Sequence, residues 1–217
     1  MITVILTVKD KNPPPDFPTT GWGTEIELLL AQQGHLPAER NAALKKAKGE
    51  YVAFVGEKDC IDPDYFTYLL EGMHGVSMAT CGYEIAEDTG ELLYASPESQ
   101  SRVLSGEEMT CRLFYQYHYQ GYLQNKLFRR DLIRKKRITF DPKYGKSADF
   151  LFLVEYLKHA SLVRMGEKFR YRFVASQEMP EAGDPAEDDM DELACYRRCK
   201  KILSRRSDAY WLCEQTI

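Results

Sequence analysis

The chain lacks the long apolar runs that a membrane span requires. A transmembrane helix needs roughly 20 successive apolar residues, whereas the longest apolar runs here have the length of short strands. The amino terminus also lacks the basic and apolar segments of a secretory signal. We therefore expect a cytoplasmic protein, and peripheral contact with the inner face of a membrane is a further expectation.

An excess of positive charge is absent as well. The 217 residues carry 29 basic and 33 acidic side chains, a net charge of -4, so no strong attraction to nucleic acid is expected. The six cysteines are scattered and none forms the CxxC pair typical of zinc and redox sites. Cys195 and Cys199 are one helical turn apart, a spacing that buried small residues also adopt. The composition is that of a globular chain with room for one domain core.

The first third of the chain alternates strands and helices. Strands are predicted at residues 2–8, 27–31 and 51–55, a helix at 37–48, and a second helix from Asp62-Pro63 to about Met73. Strand, helix and strand with short connections predict an α/β domain with parallel strands. Ligands bind beyond the carboxyl ends of such strands. The loops at Asp10, Gln32 and Glu57 are therefore candidate site segments.

The remainder predicts antiparallel and helical structure. Residues 76–85 and 91–95 flank a turn signal and predict a hairpin. Ser105 and Glu108 have capping-box spacing at the start of a helix. Further elements are predicted as helices at 129–137 and 147–159, a strand or hairpin at 162–174, and a helix at 188–213.

Several segments, in order, resemble family-2 glycosyltransferases. The resemblance begins with the run from Glu39 to Val55, continues through Asp59 and Ile61-Asp62-Pro63-Asp64, and returns at 125–130, 138–140 and 148–152. It implies a GT-A-like fold: a mostly parallel central sheet flanked by helices, with a small antiparallel hairpin and a C-terminal helix. It also implies a compact domain over 1–175, with a nucleotide-binding half (1–75) and an acceptor half (76–175). Residues 176–217 are expected to form an acidic loop and a helix packed on that domain.

The resemblance implies a nucleotide-diphospho-sugar donor. Its expected contacts are Val8, Lys9, Gln32, Gln33, Arg40, Asn41, Glu57, Lys58 and Asp59. Where the family carries Asp-Asp-Gly the chain has Gln32-Gln33-Gly34, and Gly56-Glu57-Lys58-Asp59 replaces Asp-Ser-Asp-Asp. Since an ammonium repels Mn²⁺ or Mg²⁺, no metal is assigned, and Glu57 and Asp59 are the remaining candidate ligands. Lys58 is hypothesised to substitute for the ion; alternatively it is a solvated loop lysine.

The resemblance assigns Asp149 as the catalytic base, with Ala148 replacing the family's glutamate. The alternative is a first-turn carboxylate that only stabilises its helix. Lys126 and Arg129 begin a cationic run that could touch a diphosphate, an acceptor or an anionic membrane, or could be a solvated helix face. Aromatic side chains of the acceptor half could stack on a sugar or simply be half-buried; they are Tyr115, Tyr117, Tyr119 and Tyr122, with His118. His35 could stack on the nucleotide base, and the acidic residues 181–192 are expected to be solvated.

Two functions remain open at this point. The first is an inverting glycosyltransferase that moves a sugar to a hydroxyl of a glycan or lipid-linked acceptor, without a required metal. The second is a non-catalytic relative that binds or scaffolds, because three expected carboxylate positions have changed together.

Overall fold

The computed structural model describes residues 1–10, 17–96, 100–115, 122–175 and 185–216, which form nine strands and seven helices. The strands are β1 (Ile2–Val8), β2 (Ile26–Gln32), β3 (Tyr51–Gly56), β4 (Cys60–Ile61), β5 (Met78–Glu87), β6 (Leu92–Ala95), β7 (Arg102–Ser105), β8 (Lys126–Arg129) and β9 (Leu162–Ala175). The helices are α1 (Leu36–Lys46), α2 (Tyr65–Glu71), α3 (Gly106–Tyr115), α4 (Arg130–Lys136), α5 (Ala148–His159), α6 (Pro185–Ile202) and α7 (Asp208–Thr216), and a short 3-10 segment covers Pro142–Ser147.

The sheet has the order β2-β1-β3-β8-β5-β9-β4. Its long pairings are parallel: β1 with β2, β1 with β3, and β5 with β9. The antiparallel pairings are shorter, and β8 lies between β3 and β5 with the opposite direction to both. The predicted α/β class with a mostly parallel central sheet is confirmed.

Apolar side chains cover both faces of this sheet. All seven residues of β1 are buried, as expected for a parallel strand enclosed on both sides. One face packs against α1, α4 and α5, where Phe54 meets Phe128, Phe140 and Phe152. The other face packs against α2, where Trp22 contacts Phe66 edge-on.

Local sequence signals account for several boundaries. The Ser105 hydroxyl accepts a hydrogen bond from the Glu108 amide at 3.1 Å, and the Glu108 carboxylate accepts one from the Ser105 amide at 2.7 Å. The capping box that the sequence predicts therefore opens α3. The predicted hairpin is β5 and β6. The Pro13-Pro14-Pro15 loop lies outside the described residues.

The predicted C-terminal helix is two helices, α6 and α7. The Ser207 hydroxyl donates to the Ser204 carbonyl at 2.8 Å and accepts from the Tyr210 amide at 3.2 Å, which closes the connection and caps α7. Cys195, Cys199, Ile202 and Cys213 from these helices join the apolar cluster around α5. Among the described residues, no helix is both long enough and apolar enough to cross a membrane.

Candidate functional site

Three parallel strands end side by side at one edge of the sheet. Val8 of β1 pairs with Gln32 of β2, and Thr7 pairs with Gly56 of β3. The Gln33 amide donates to the Val8 carbonyl at 2.9 Å, and the Glu57 amide donates to the Thr7 carbonyl at 3.0 Å. The edge thus brings together the three loops that the sequence predicts as site segments. We call it the carboxyl edge.

Polar contacts join these loops. The Glu57 carboxylate accepts a hydrogen bond from the Lys9 amide at 2.9 Å, and the Gln32 side-chain amide donates to the Lys9 carbonyl at 3.5 Å. Glu57 therefore shapes the turn after β1. The Gln32 contact uses the nitrogen of its amide, so its carbonyl oxygen remains the group suited to accept from a base N–H.

Asp149 lies at the start of α5 and forms an ion pair with Arg40 of α1. The Arg40 side chain is 2% exposed and that of Asp149 is 26% exposed. Arg40 also donates to the Thr7 hydroxyl at 3.3 Å and lies 5.5 Å from the centroids of both the Phe54 and Phe140 rings. A buried cation thus anchors a carboxylate that reaches solvent beside the carboxyl edge.

Arg40 and Asn41, two of the predicted donor contacts, make their described hydrogen bonds to the protein itself. Arg40 lies behind Asp149, because its guanidinium is enclosed by Asp149, Thr7 and two rings. The Asn41 amide group donates to the Phe140 carbonyl at 2.8 Å and accepts from the Phe140 amide at 2.9 Å. Both of its polar atoms are thereby used to fix the segment that leads into α5. Arg40 and Asn41 support the site from the inside.

The Asp149 carboxyl experiences two opposing effects. Burial raises its pKa, and the neighbouring Arg40 charge and hydrogen bond lower it. Burial is the larger effect, so the pKa lies above the ordinary aspartate value. A raised value brings a carboxylate closer to the operating range of a general base at neutral pH.

Asp59 closes a tight turn that begins at Gly56. Its carboxylate accepts hydrogen bonds from the Gly56 amide at 3.1 Å, from the Tyr171 hydroxyl, and from the Val174 amide at 3.2 Å. A Cβ on Gly56 would lie 2.4 Å from the Asp59 carboxylate oxygen. Only glycine fits there while Asp59 keeps this position.

The turn does not suit a divalent cation. Both oxygens of Asp59 are occupied by protein donors, and burial raises its pKa. Glu57 holds the Lys9 amide, and Lys58, exposed at the tip of the turn, adds a positive charge. Within the described ranges, no three His, Cys, Asp or Glu side chains are arranged to hold a metal ion. The Asp59 carboxylate, a predicted candidate ligand, is turned into the protein and holds the turn.

Two predicted phosphate or acceptor contacts lie elsewhere. Lys126 is 1% exposed; its ammonium donates to the Tyr122 carbonyl at 2.7 Å and to the Asn125 side chain at 2.9 Å. Burial lowers its pKa to about 7. Arg129 pairs with Tyr51 at the amino end of β3, opposite the carboxyl edge, and lies 3.4 Å from Glu50. Lys126 is therefore enclosed by the protein, and Arg129 lies at the end of the sheet opposite the carboxyl edge.

A cluster of four aromatic rings, which we call the aromatic wall, lies beside the Asp59 turn. We define it as Tyr83, Tyr94, Tyr122 and Phe173; Tyr122 and Phe173 have ring centroids 4.8 Å apart, and Tyr83 touches the other three rings. Phe173 precedes Val174, whose amide holds Asp59. Sequence reasoning found only Tyr122, because the partners come from strands distant along the chain and no local spacing links them.

The other predicted aromatic and acidic residues give less information. Tyr117, His118 and Tyr119 lie outside the described residues, as does the acidic stretch before α6, and the side chains of Tyr115 and of residues 185–192 are likewise outside the description. His35 is at the amino-terminal boundary of α1, where its side chain makes no capping hydrogen bond.

The chain is similar in sequence to two bacterial proteins that are named glycosyltransferases. No family model matches the chain. It is 31% identical over 117 residues to "Putative glycosyltransferase EpsH" of Bacillus subtilis (strain 168), an alignment spanning 53% of this chain and 34% of that protein. It is 26% identical over 151 residues to "Uncharacterized glycosyltransferase EpsJ" of the same organism, spanning 67% of this chain and 44% of that one. The chain thus spans less than half the length of these curated relatives.

The fold matches solved structures over nearly the whole chain. S. aureus TarS 1-349 in complex with UDP-GlcNAc superposes with a TM-score of 0.68 at 17% identity, covering 95% of this chain and 67% of that one. A second crystal structure of S. aureus TarS 1-349 superposes with a TM-score of 0.67, also at 17% identity. The predicted resemblance to glycosyltransferases is confirmed by the named relatives, and the predicted fold by these structures.

Proposed function

From a fold shared with TarS and sequence similarity to proteins named glycosyltransferases, we propose that the chain transfers a sugar from a nucleotide-diphospho-sugar to an acceptor hydroxyl. The observation that carries this proposal is the Arg40–Asp149 pair beside the carboxyl edge. A carboxylate that is held by a buried cation, and still reaches solvent, has the properties of an oriented general base. UDP-GlcNAc, which the TarS complex contains, is the first donor to test.

In the proposed reaction, Asp149 accepts the proton of the acceptor hydroxyl. The acceptor oxygen then forms a bond to the anomeric carbon while the bond from that carbon to the diphosphate oxygen breaks. A single in-line displacement inverts the anomeric configuration. Arg40 contacts Oδ1 of Asp149 and thereby fixes the direction in which the carboxylate faces the acceptor.

Charge on the departing diphosphate has to be stabilised, and we assign this role to Lys58. Its ammonium is exposed at the tip of the turn after β3, where the resemblance places a metal ion. A fixed cation at a developing anion lowers the barrier in the same sense as a metal does. The inward-facing Asp59 carboxylate supports metal-independent transfer, because both of its oxygens already accept hydrogen bonds from the protein.

The aromatic wall supports a saccharide as the acceptor. Tyr122 is 42% exposed, and its ring and that of Phe173 present a tilted apolar surface with a phenolic hydroxyl at its margin. Pyranose rings have apolar C–H faces and polar rims, which suit such a surface. A free glycan and a lipid-linked glycan share this chemistry.

A cationic face supports peripheral contact with an anionic membrane. Exposed cations at the ends of α1 and α4 and just after them form this face, which we define as Lys45, Lys46, Lys48, Arg134, Lys135, Lys136 and Arg137. Arg130 joins the two helices by donating to the Ala47 carbonyl at 2.6 Å. Clustered lysine and arginine residues are attracted to anionic headgroups.

A non-catalytic binding role is the alternative, and the loss of the acidic metal positions favours it. The deciding experiment is calorimetry with UDP-GlcNAc and a panel of UDP-, GDP-, CDP- and dTDP-sugars, with and without Mn²⁺. We expect saturable binding of one donor that Mn²⁺ does not strengthen, and turnover that Asp149→Asn abolishes. Binding without turnover would support the alternative, and absence of binding by folded protein would refute the donor site.

A further inference from the structure

Three cysteine thiols meet between α6 and α7, away from the carboxyl edge. Cys195 and Cys199 are 3% and 0% exposed, and Cys213 is 0% exposed. The Cys199 thiol is hydrogen-bonded with the thiols of both Cys195 and Cys213. The other three cysteines lie apart, with Cys60 exposed and Cys111 half-buried.

The register of the two helices is fixed by contacts on either side of these thiols. Lys200, next to Cys199, forms an ion pair at 2.7 Å with Glu214, next to Cys213. The Cys213 thiol lies 3.3 Å from the Tyr196 carbonyl, to which it donates. These contacts hold Cys199 of α6 opposite Cys213 of α7 in the folded protein.

The surroundings of Cys199 and Cys213 shift the pKa values of the two thiols in opposite directions. The hydrogen bond with Cys199 lowers the pKa of Cys213, burial opposes this effect, and the Lys200 charge lowers the pKa further. The same cluster raises the pKa of Cys199. We therefore assign Cys213, on which the Lys200 charge acts, as the attacking sulfur and Cys199 as its partner.

Among the described side chains, no group of three is arranged to hold a metal ion, so the cluster is better suited to chemistry between two sulfurs. We propose that Cys199 and Cys213 are a modification site, a dithiol that a peroxide oxidises to a disulfide. The Cys213 thiolate attacks hydrogen peroxide, the O–O bond breaks, and hydroxide leaves to give a sulfenic acid. Cys199 sulfur then displaces the sulfenic oxygen, which departs as water with the Cys199 proton, and the S–S bond forms.

The position of α7 determines how an oxidant reaches the thiols and what the disulfide does to the protein. This helix lies at the surface, since Trp211, two residues before Cys213, is 56% exposed, and the thiols occupy its inner side. The disulfide joins α7 covalently to α6 and restricts the unfolded chain between them.

The test treats the reduced full chain with hydrogen peroxide, blocks the remaining thiols with N-ethylmaleimide, and maps the peptides by mass spectrometry. We expect a Cys199–Cys213 cross-linked peptide that dithiothreitol removes, with a higher melting temperature for the oxidised protein. Cys213→Ser should abolish the cross-link, whereas the matched variant Cys111→Ser should keep it.

The wild-type peptide map decides the matter even if Cys213→Ser does not fold. Oxidation of Cys60 with no cross-link between α6 and α7 would overturn the proposal, as would a cross-link that uses Cys195 in place of Cys199. Release of a bound metal ion on denaturation would identify the cluster as a metal site and would also overturn it. None of these outcomes depends on transferase activity.

Discussion

The charged side chain of Arg40 is buried in the protein. Its charge is balanced by one carboxylate, one hydroxyl and two aromatic faces, and Asp149 is the titratable group among them. The charge on Arg40 therefore acts directly on the protonation of the proposed base. The side chain is a positioning residue for Asp149.

Replacing Arg40 with Met should shift the pH dependence of sugar transfer. Arg40 lowers the pKa of Asp149, so its removal raises that pKa further, and the carboxylate is formed only at higher pH. We expect the acid limb of the kcat/KM profile to move upward by about one pH unit. The control is Arg134→Met, an exposed cation of α4. An acid limb that stays in place would contradict the assigned role.

Lys126 should make the free energy of unfolding depend on pH. Its pKa is about 7 in the folded protein and about 10.4 in the unfolded chain. Between these values the unfolded state binds the extra proton, so stability rises with pH, by at most about 1.4 kcal/mol per unit. Above roughly pH 9 Cys81 and the buried tyrosines Tyr65 and Tyr171 act against this rise. Burial raises their pKa values in the folded protein, so the unfolded chain loses these protons first and stability falls as the pH increases.

The measurement is urea unfolding between about pH 7 and 9. Lys126→Met should flatten the slope, whereas the exposed Lys136→Met should leave it unchanged. Equal slopes in the wild type and Lys126→Met would show that the ammonium is not buried as described.

Gly56 and Asp59 should be coupled in a double-mutant cycle. Gly56→Ala brings a methyl group to 2.4 Å from Asp59, and we expect it to cost about 1–3 kcal/mol of unfolding free energy. In an Asp59→Ala background the same change should cost much less, because the obstructing oxygen is gone. Thermal or urea denaturation of the four proteins measures this coupling. Additive effects would refute the described turn.

Single helices and turns could be predicted well from residues that are close together in the sequence. The helix at α1, the hairpin of β5 and β6, and the start of α3 all follow from residues close in sequence, because caps and turns are short-range. The burial of Lys126 and the position of Arg129 could not be predicted in this way. Both depend on β8 being inserted between β3 and β5 in the opposite direction, which is a long-range property of the sheet.

The capping box of α3 gives a prediction at this scale. Ser105→Ala removes the acceptor of the Glu108 amide and should lower the free energy of unfolding by about 1 kcal/mol. Urea denaturation measures the change. Ser101→Ala is the matched control, since Ser101 is exposed and its described hydrogen bond uses the backbone amide. Equal stability of the two variants would mean that the box does not stabilise α3.

For the molecule as a whole, charge is distributed unevenly between its parts. The net charge is -4, yet the cationic face concentrates seven exposed basic residues, five on α1 and α4 and two just after these helices. This face includes the helix that follows Arg129 at the amino end of β3, so it extends toward the edge opposite the carboxyl edge. The fold class and the carboxyl edge could be predicted from strand order, whereas the relative placement of charge and site required the assembled sheet.

The cationic face should bind vesicles of phosphatidylcholine mixed with phosphatidylglycerol, and less so as salt is added. Reversing Arg134 and Lys136 to Glu should weaken this binding roughly tenfold or more, at about 1 kcal/mol for each cation near the surface. Co-sedimentation measures it. Reversal of two exposed cations on other strands, Arg102 of β7 and Lys168 of β9, is the control. Equal losses in both variants would indicate a general charge effect without a docking face.

The turn from Gly56 to Asp59 also limits which substitutions the chain can accept. An aspartate at position 56 does not fit while the Asp59 carboxylate occupies its space, and replacing Asp59 first gives up three hydrogen bonds. Each single substitution toward an acidic metal clamp therefore passes through a less stable protein. Variants of this chain can change around the lysine at 58 more easily than they can acquire a metal ion.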